Sequence, residues 1–328
     1  MPFTRSRAVD LIGEYLESSP HLKIAGQLQQ SAGMVLADAK TSLPGSDESY
    51  LGGSPHLPSE LDWPVWDRSQ SVRAALPKIR ERAASSESDW YRGYIAELES
   101  MLRQPVVPLP FLGQIAMEAV HQACVVPYLP RGGVMQFFCD PLSIDLGSYD
   151  SGGFRALYHP PGTELNAVNA PSTLADDQQA EAHRVSFKAF WTLPNWFSES
   201  CLVFPEHDEG EIDGYIELLD QLEYFGMDEA LSVGQVGGWP PLIQGDMNLD
   251  CQLASQGIDP IVRYENKQDL RAKTLAKGAD DWRLIMHLCS VQELDWCWGD
   301  AGYLYFWARE QEVSRCDLAN AWCMMQTS

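Results

Sequence analysis

No lysine or arginine occurs between Lys188 and Arg263, although residues 189–262 hold fourteen of the chain's 46 acidic side chains. Against 23 bases, those acids give the 328 residues a formal net charge of −23. Phosphate backbones are gripped by Lys and Arg, so direct nucleic-acid binding is disfavoured. No stretch reaches the roughly 18–20 apolar residues of a membrane span. The N-terminus carries Arg5 and Arg7, but Glu14 and Glu17 interrupt any apolar run, so it does not read as a secretory signal. A cytoplasmic protein without a membrane partner is expected.

The eight cysteines contain no CxxC pair and the seven histidines show no short repeated spacing. Structural zinc sites use such spacings, so no metal is expected. Cys139 follows Phe137 and Phe138, and Cys289 follows Leu288, which reads as buried, reduced thiols. Neither GxGxxG nor GxxxxGK[ST] is present, so the usual phosphate cradles are missing and no cofactor is expected. No nucleophile signature surrounds Cys124, which leaves His121 and His287 without a Cys–His role.

What is present is one stretch written twice. Gln235–Met247 reads QVGGWPPLIQGDM, a glycine pair for a tight corner followed by prolines that stiffen the exit. Tyr50–Pro58, YLGGSPHLP, sets Gly52, Gly53, Pro55 and Leu57 on Gly237, Gly238, Pro240 and Leu242 at an offset of 185 (237 − 52). In the same order, PFLGQIAMEA (Pro110–Ala119) matches RLIMHLCSVQ (Arg283–Gln292). GGVMQFF (Gly132–Phe138) then matches AGYLYFW (Ala301–Trp307), the offset having fallen to 169 (302 − 133). The shrinkage is explained by a charged, helix-periodic insertion over residues 67–104 of the first copy. The expected fold is α+β and β-rich: two pseudo-symmetric antiparallel-sheet repeats with peripheral helices. Residues 1–45 read as an N-terminal helical segment and 46–328 as the main domain. Repeat one covers about 50–148, repeat two about 181–323, and loop-rich Asp150–Ala180 divides them.

Strands are expected over Val106–Ile115, Val134–Phe138, Val185–Leu193, Asp280–Leu288 and Gly302–Trp307. Cys316–Cys323 reads as a short helical or irregular lid, and a second helix is placed over Leu22–Ala39. Glu211–Phe225 is the clearest helix, with Ile212, Tyr215, Ile216, Leu219 and Leu222 on one face and Asp213, Glu217 and Asp220 on the other.

Seven motifs in order carry a family resemblance: LGGxPxLP at 51–58, DWP at 62–64, PFLGQI at 110–115, LPxGGxxQFF at 129–138, TLP at 192–194, VGGxPxxIQ at 236–244 and WGDAGxLYF at 298–306. Over about Tyr50 to Trp322 the chain resembles the YwqG-like proteins, a bacterial family of unknown function. The resemblance implies a single globular unit of antiparallel sheets with internal pseudo-symmetry, and it implies no activity, cofactor or catalytic residue. The insertion and the acidic middle depart from the family pattern.

Gln114 and Gln244 lie in apolar segments, where an amide must be satisfied, and read as backbone clamps. Asp246, Asp250 and Asp300 sit beside the repeated motifs and read as turn caps. His207 lies among acids in PEHDEGE and reads as a solvated loop residue. A segment of one charge sign repels itself, a cost that a basic partner would relieve. The first functional expectation is therefore a non-catalytic binding protein of the immunity or antitoxin type, neutralising a basic toxin or effector domain. Its contact residues would be Glu206, Asp208, Glu209, Asp213, Glu217 and Asp220, with Tyr215 or Tyr224 adding aromatic contact. The alternative is a hydrolase-like enzyme with Asp246, Asp300, His287 and Gln244 in a cleft between the repeats.

Overall fold

The computed structural model describes residues 3–16, 21–37, 44–86, 88–146, 151–198, 201, 209–227, 232–260 and 270–327. In chain order the strands are β1 (Gln29–Leu36), β2 (Tyr50–Leu51), β3 (His56–Leu57), β4 (Val65–Asp67), β5 (Val106–Pro108), β6 (Phe111–Ala116), β7 (Val134–Cys139), β8 (Phe154–His159), β9 (Asn166–Ala167), β10 (His183–Thr192), β11 (Gly234–Val236), β12 (Trp282–Cys289), β13 (Tyr303–Arg309) and β14 (Trp322–Gln326). The helices are α1 (Arg5–Tyr15), α2 (His21–Gln27), α3 (Ser69–Ala84), α4 (Trp90–Met101), α5 (Met117–Ala123), α6 (Leu142–Asp145), α7 (Glu209–Met227), α8 (Asn248–Ala254), α9 (Leu270–Leu275) and α10 (Glu310–Val313).

Ten of the strands form one antiparallel sheet, ordered β14-β13-β12-β11-β1-β10-β2-β6-β7-β8. Its centre is the β1–β10 pair, in unbroken register from Gln29↔Thr192 to Leu36↔Val185. The sheet curls until its ends approach: Phe154 on β8 and Trp322 on β14 have ring centroids 5.3 Å apart. Between these ends Phe137 meets Phe306 at 5.0 Å. The result is a nearly closed α+β architecture whose inner face encloses one large apolar cluster.

Two smaller clusters cover the outside. The helical insertion forms the antiparallel pair α3–α4, flanked by the β4–β5 ladder, and packs Val72, Ala75, Leu76 and Leu98 with Tyr50, Phe111 and Phe138. With both faces covered, β6 and β7 are buried at every position, which is why they read as continuous apolar runs rather than alternations. On the other flank α1 and α2 pack Ala8, Leu11, Ile12 and Ile24 with Tyr215, Leu218 and Leu222 of α7.

The corners have one backbone form. Gly52 and Gly53 lie at φ 69° and 72°, and Gly237 and Gly238 at 70° and 72°. These left-handed values favour glycine, whose missing Cβ removes the steric cost. Their side-chain supports also correspond. Tyr50 Oη donates to Ser54 O (2.8 Å) and Gln235 Nε2 to Trp239 O (3.0 Å). One strand further on, Gln136 Nε2 donates to His56 O (2.6 Å) and Tyr305 Oη to Pro241 O (2.8 Å). The ladder partners match as well, with Tyr50↔Gln114↔Gln136 on one side and Gln235↔His287↔Tyr305 on the other.

Three expectations are corrected. The segment 1–45 is not all helical, because Gln29–Leu36 is β1, the centre of the sheet. Ala32–Leu36 is a short apolar run, which periodicity alone does not assign to helix or strand. The division at Asp150–Ala180 contains the edge strand β8, whose Phe154 and Ala156 face the core. The proposed lid ends in a third surprise: its last residues begin β14. Of the cysteines, Cys124, Cys139, Cys251 and Cys323 are buried, whereas Cys297 and Cys316 are exposed.

Candidate binding pocket

α7 begins at Glu209, beyond the end of β10. At its other end Lys188 of β10 donates Nζ to Met227 O (2.9 Å), satisfying a terminal carbonyl. Gly33 leaves room for the Met227 side chain, since a Cβ there would lie 2.3 Å from its Sδ. The helix is thereby pinned across the central strands.

The buried stripe of α7 is Tyr215, Leu218 and Leu222. Ile216 remains 39 % exposed because it faces a pocket rather than the core. That pocket, about 270 Å³, lies between α7, the end of β10 and the second corner. Its walls are Trp191, Trp196 and Trp239, its helix side carries Ile216, Leu219, Asp220 and Glu223, and Gln235, Pro240 and Pro241 complete it. Two of the indoles are fixed by hydrogen bonds: Trp239 Nε1 donates to Gln27 O (2.8 Å) and Trp191 Nε1 to Phe3 O (3.2 Å). The volume is just below the roughly 300–1,000 Å³ typical of small-molecule sites, and matches one inserted side chain better than a larger ligand.

Two carboxyl groups, those of Asp220 and Glu223, line the pocket. Glu223 is held above the ordinary carboxylate value, first by the protein atoms crowding it and then by the charge of Asp220. Ion pairs elsewhere join Arg184 to Glu48, Arg283 to Glu310 and Arg80 to Glu99. Among the described residues none includes Asp213, Glu217, Asp220 or Glu223. Carboxylates beside indole faces favour a guanidinium or ammonium, by charge and by the ring quadrupole together.

A larger groove, about 830 Å³, runs along the seam between β8 and β14. Its cations are already used. Arg309 donates to Gln252 Oε1 and Ser255 Oγ, and Arg155 to the carbonyls of Ser151 and Phe154.

Of the expected contact residues, Asp213, Glu217 and Asp220 are exposed on α7. Glu206 and Asp208 lie outside the described residues, as does His207, and so do the side chains of Glu209 and Tyr224. Tyr215 is a correction. It is fully buried and its Oη donates to Pro194 O (2.9 Å), so it stands inside the fold rather than on the exposed face of α7. Sequence reading missed Glu223 and the three tryptophans, because the strand and corner that bring them to α7 are distant in the chain.

The four residues of the enzyme alternative have separate settings. His287 is buried in the sheet, 4.8 Å from the Tyr303 ring and stacked on Tyr305, and burial depresses its pKa to about 3. Asp246 accepts from Ser198 Oγ (2.6 Å). Gln244 is exposed, and its backbone N–H donates to Gln326 Oε1. Asp300 is exposed in the β12–β13 connection. Gln114 does clamp backbone, donating Nε2 to Ser46 O and Glu48 O. Among the described residues no group of three or more His, Cys, Asp or Glu is arranged to hold a metal ion, and no helix is long and apolar enough to cross a membrane.

An antiparallel α+β protein with an acid-and-tryptophan pocket at a glycine–proline corner is the class these features define. Residues 49–327 match the family model described as a domain of unknown function (DUF1963), and the chain belongs to that family. No curated protein matches it.

Proposed function

We propose that this chain is a non-catalytic, cytoplasmic binding protein of the immunity or antitoxin type, which neutralises a basic toxin or effector domain on the exposed face of α7. One observation carries the reading: Asp220 and Glu223 share a tryptophan-walled pocket without a Lys or Arg partner among the described residues. Asp213 and Glu217 extend the same charge along the helix. A basic partner would steer quickly onto such a field and seat one cationic side chain in the pocket.

The test is titration calorimetry of the purified chain with a short oligo-arginine peptide at low and high salt. Salt-sensitive binding that weakens about tenfold or more in the double variant Asp220→Asn/Glu223→Gln is expected, since two charge-assisted contacts are lost. Undiminished affinity in that variant, or no binding at low salt, overturns the reading.

We infer further that the chain is an internal duplication of the YwqG-like kind, with the first strands of the two halves exchanged. What supports this is the corner geometry and the strand order, in which β1 lies beside β11 and β10 beside β2.

A further inference from the structure

Side chains alternate across β11. Val236 joins the core cluster, so Gln235 faces the opposite side, where it lines the acid-and-tryptophan pocket. Gln235 is only 3 % exposed, and its amide is fixed in one sense. Nε2 lies 2.9 Å from Gly237 O and 3.0 Å from Trp239 O, two carbonyls that only the NH2 end can satisfy. The amide oxygen is left over. Among the described residues Oε1 has no hydrogen-bond partner, yet it is not one of the sealed, unsatisfied atoms of the interior. It therefore opens on the pocket that its residue lines.

The first corner has no such group. Tyr50 occupies the corresponding place, by the offset of 185 (235 − 50). Its hydroxyl donates to Ser54 O (2.8 Å) and lies 3.0 Å from His56 Nδ1, whose N–H can donate to it. Of the two corners, only the second keeps this acceptor unspent.

A buried, unpaired acceptor beside two carboxyl groups is met by a ligand that brings hydrogens as well as charge. A quaternary ammonium suits the indoles and the carboxylates but has no N–H. An ammonium offers its donors from one compact nitrogen, whereas a guanidinium spreads more of them over a planar fork. The acceptors stand on two elements, Asp220 and Glu223 on α7 and Gln235 on β11, which suits the fork.

We propose that the pocket selects a guanidinium over an ammonium, with Gln235 Oε1 accepting one of its N–H groups while Asp220 and Glu223 pair with its charge. The inference rests on the cation-binding reading of that pocket and makes the partner's anchor an arginine. The flat face of the guanidinium packs on an indole wall, and its edge meets the acceptors.

Three probes of equal charge test this: arginine amide, lysine amide and Nε-trimethyl-lysine amide, whose side chains carry five, three and no N–H donors. Titration calorimetry on the intact chain should give affinities that fall in that order, by about tenfold from arginine to lysine. In ¹H–¹⁵N spectra the Gln235 side-chain amide should shift with arginine amide and stay in place with trimethyl-lysine amide. Gln235→Met, checked for folding by its thermal transition, should reduce the arginine-to-lysine ratio to about threefold or less. If that variant does not fold, the probe series and the amide shift on the unaltered chain decide the matter. Lysine or trimethyl-lysine amide binding as tightly as arginine amide overturns the guanidinium preference and leaves a cation pocket. A Gln235 amide that ignores arginine, or an unchanged ratio in folded Gln235→Met, overturns the role of Gln235. Failure of all three probes to bind removes the underlying reading, and this inference with it.

Discussion

Glu223 follows Asp220 by one turn of α7, and the carboxyl of the first is held above its ordinary value by crowding and by the charge of the second. The sign of the linkage follows. An acid whose pKa is higher in the folded state costs nothing at low pH, where both states are protonated. It costs stability as pH rises through the unfolded and then the folded pKa. Glu223→Gln is therefore expected to raise stability at neutral pH and to change nothing at strongly acidic pH. Because the side chain is exposed to water, the gain is below about 1 kcal/mol. Urea midpoints across pH check this, and a loss at neutral pH would contradict it.

A bound cation reverses that balance and drives Glu223 to ionise. Binding should release protons around the titration of this carboxyl and strengthen as pH rises through it. Calorimetry in two buffers of different ionisation enthalpy measures the release. A proton count of zero would show that Glu223 does not face the ligand.

Tyr215 and the exposed acids should behave oppositely. Tyr215→Phe removes a buried hydrogen bond to Pro194 O and should cost about 1 kcal/mol of stability, with cation affinity unchanged. Asp213→Asn and Glu217→Gln should change stability by less than about 0.5 kcal/mol while lowering oligo-arginine affinity. Measuring both quantities on each variant separates support from contact.

His287 faces the aromatic rings of Tyr303 and Tyr305, with its pKa depressed to about 3 by burial. A histidine kept neutral in the fold destabilises it progressively as pH falls from the unfolded pKa of about 6.5 toward about 3. His287→Gln, the residue found at the matching position 114, should flatten that loss of stability. Ring-proton NMR should show His287 unprotonated at pH 5; a midpoint near 6.5 would contradict its burial.

Much of this architecture is legible in the chain. The corners announce themselves as GGxP, and β7, β10, β12 and β13 are rich in bulky apolar residues. The expected run over Val106–Ile115 is two strands, β5 and β6, because Pro108 and Pro110 bracket a turn from one ladder into another. The helix α7 was marked by its 3.6-residue period. Its buried stripe was not, since Ile216 and Leu219 share that period yet face the pocket. The strands β1, β8 and β14 escaped because the contacts that define them come from distant sequence. Position 33 against Met227, and Phe154 against Trp322, leave no local trace. The pocket was half visible: its acids stood out by charge, whereas Trp191, Trp196 and Trp239 converge only after the central strands pair.

The most direct measurement is a ¹H–¹⁵N correlation spectrum of the tryptophan indoles during titration with arginine amide. The chain has 11 tryptophans, so the unaffected ones serve as internal controls. We expect shifts concentrated on Trp191, Trp196 and Trp239, and their loss in Asp220→Asn/Glu223→Gln. Indole signals that stay fixed, or that move equally in the double variant, would contradict a cation-binding pocket.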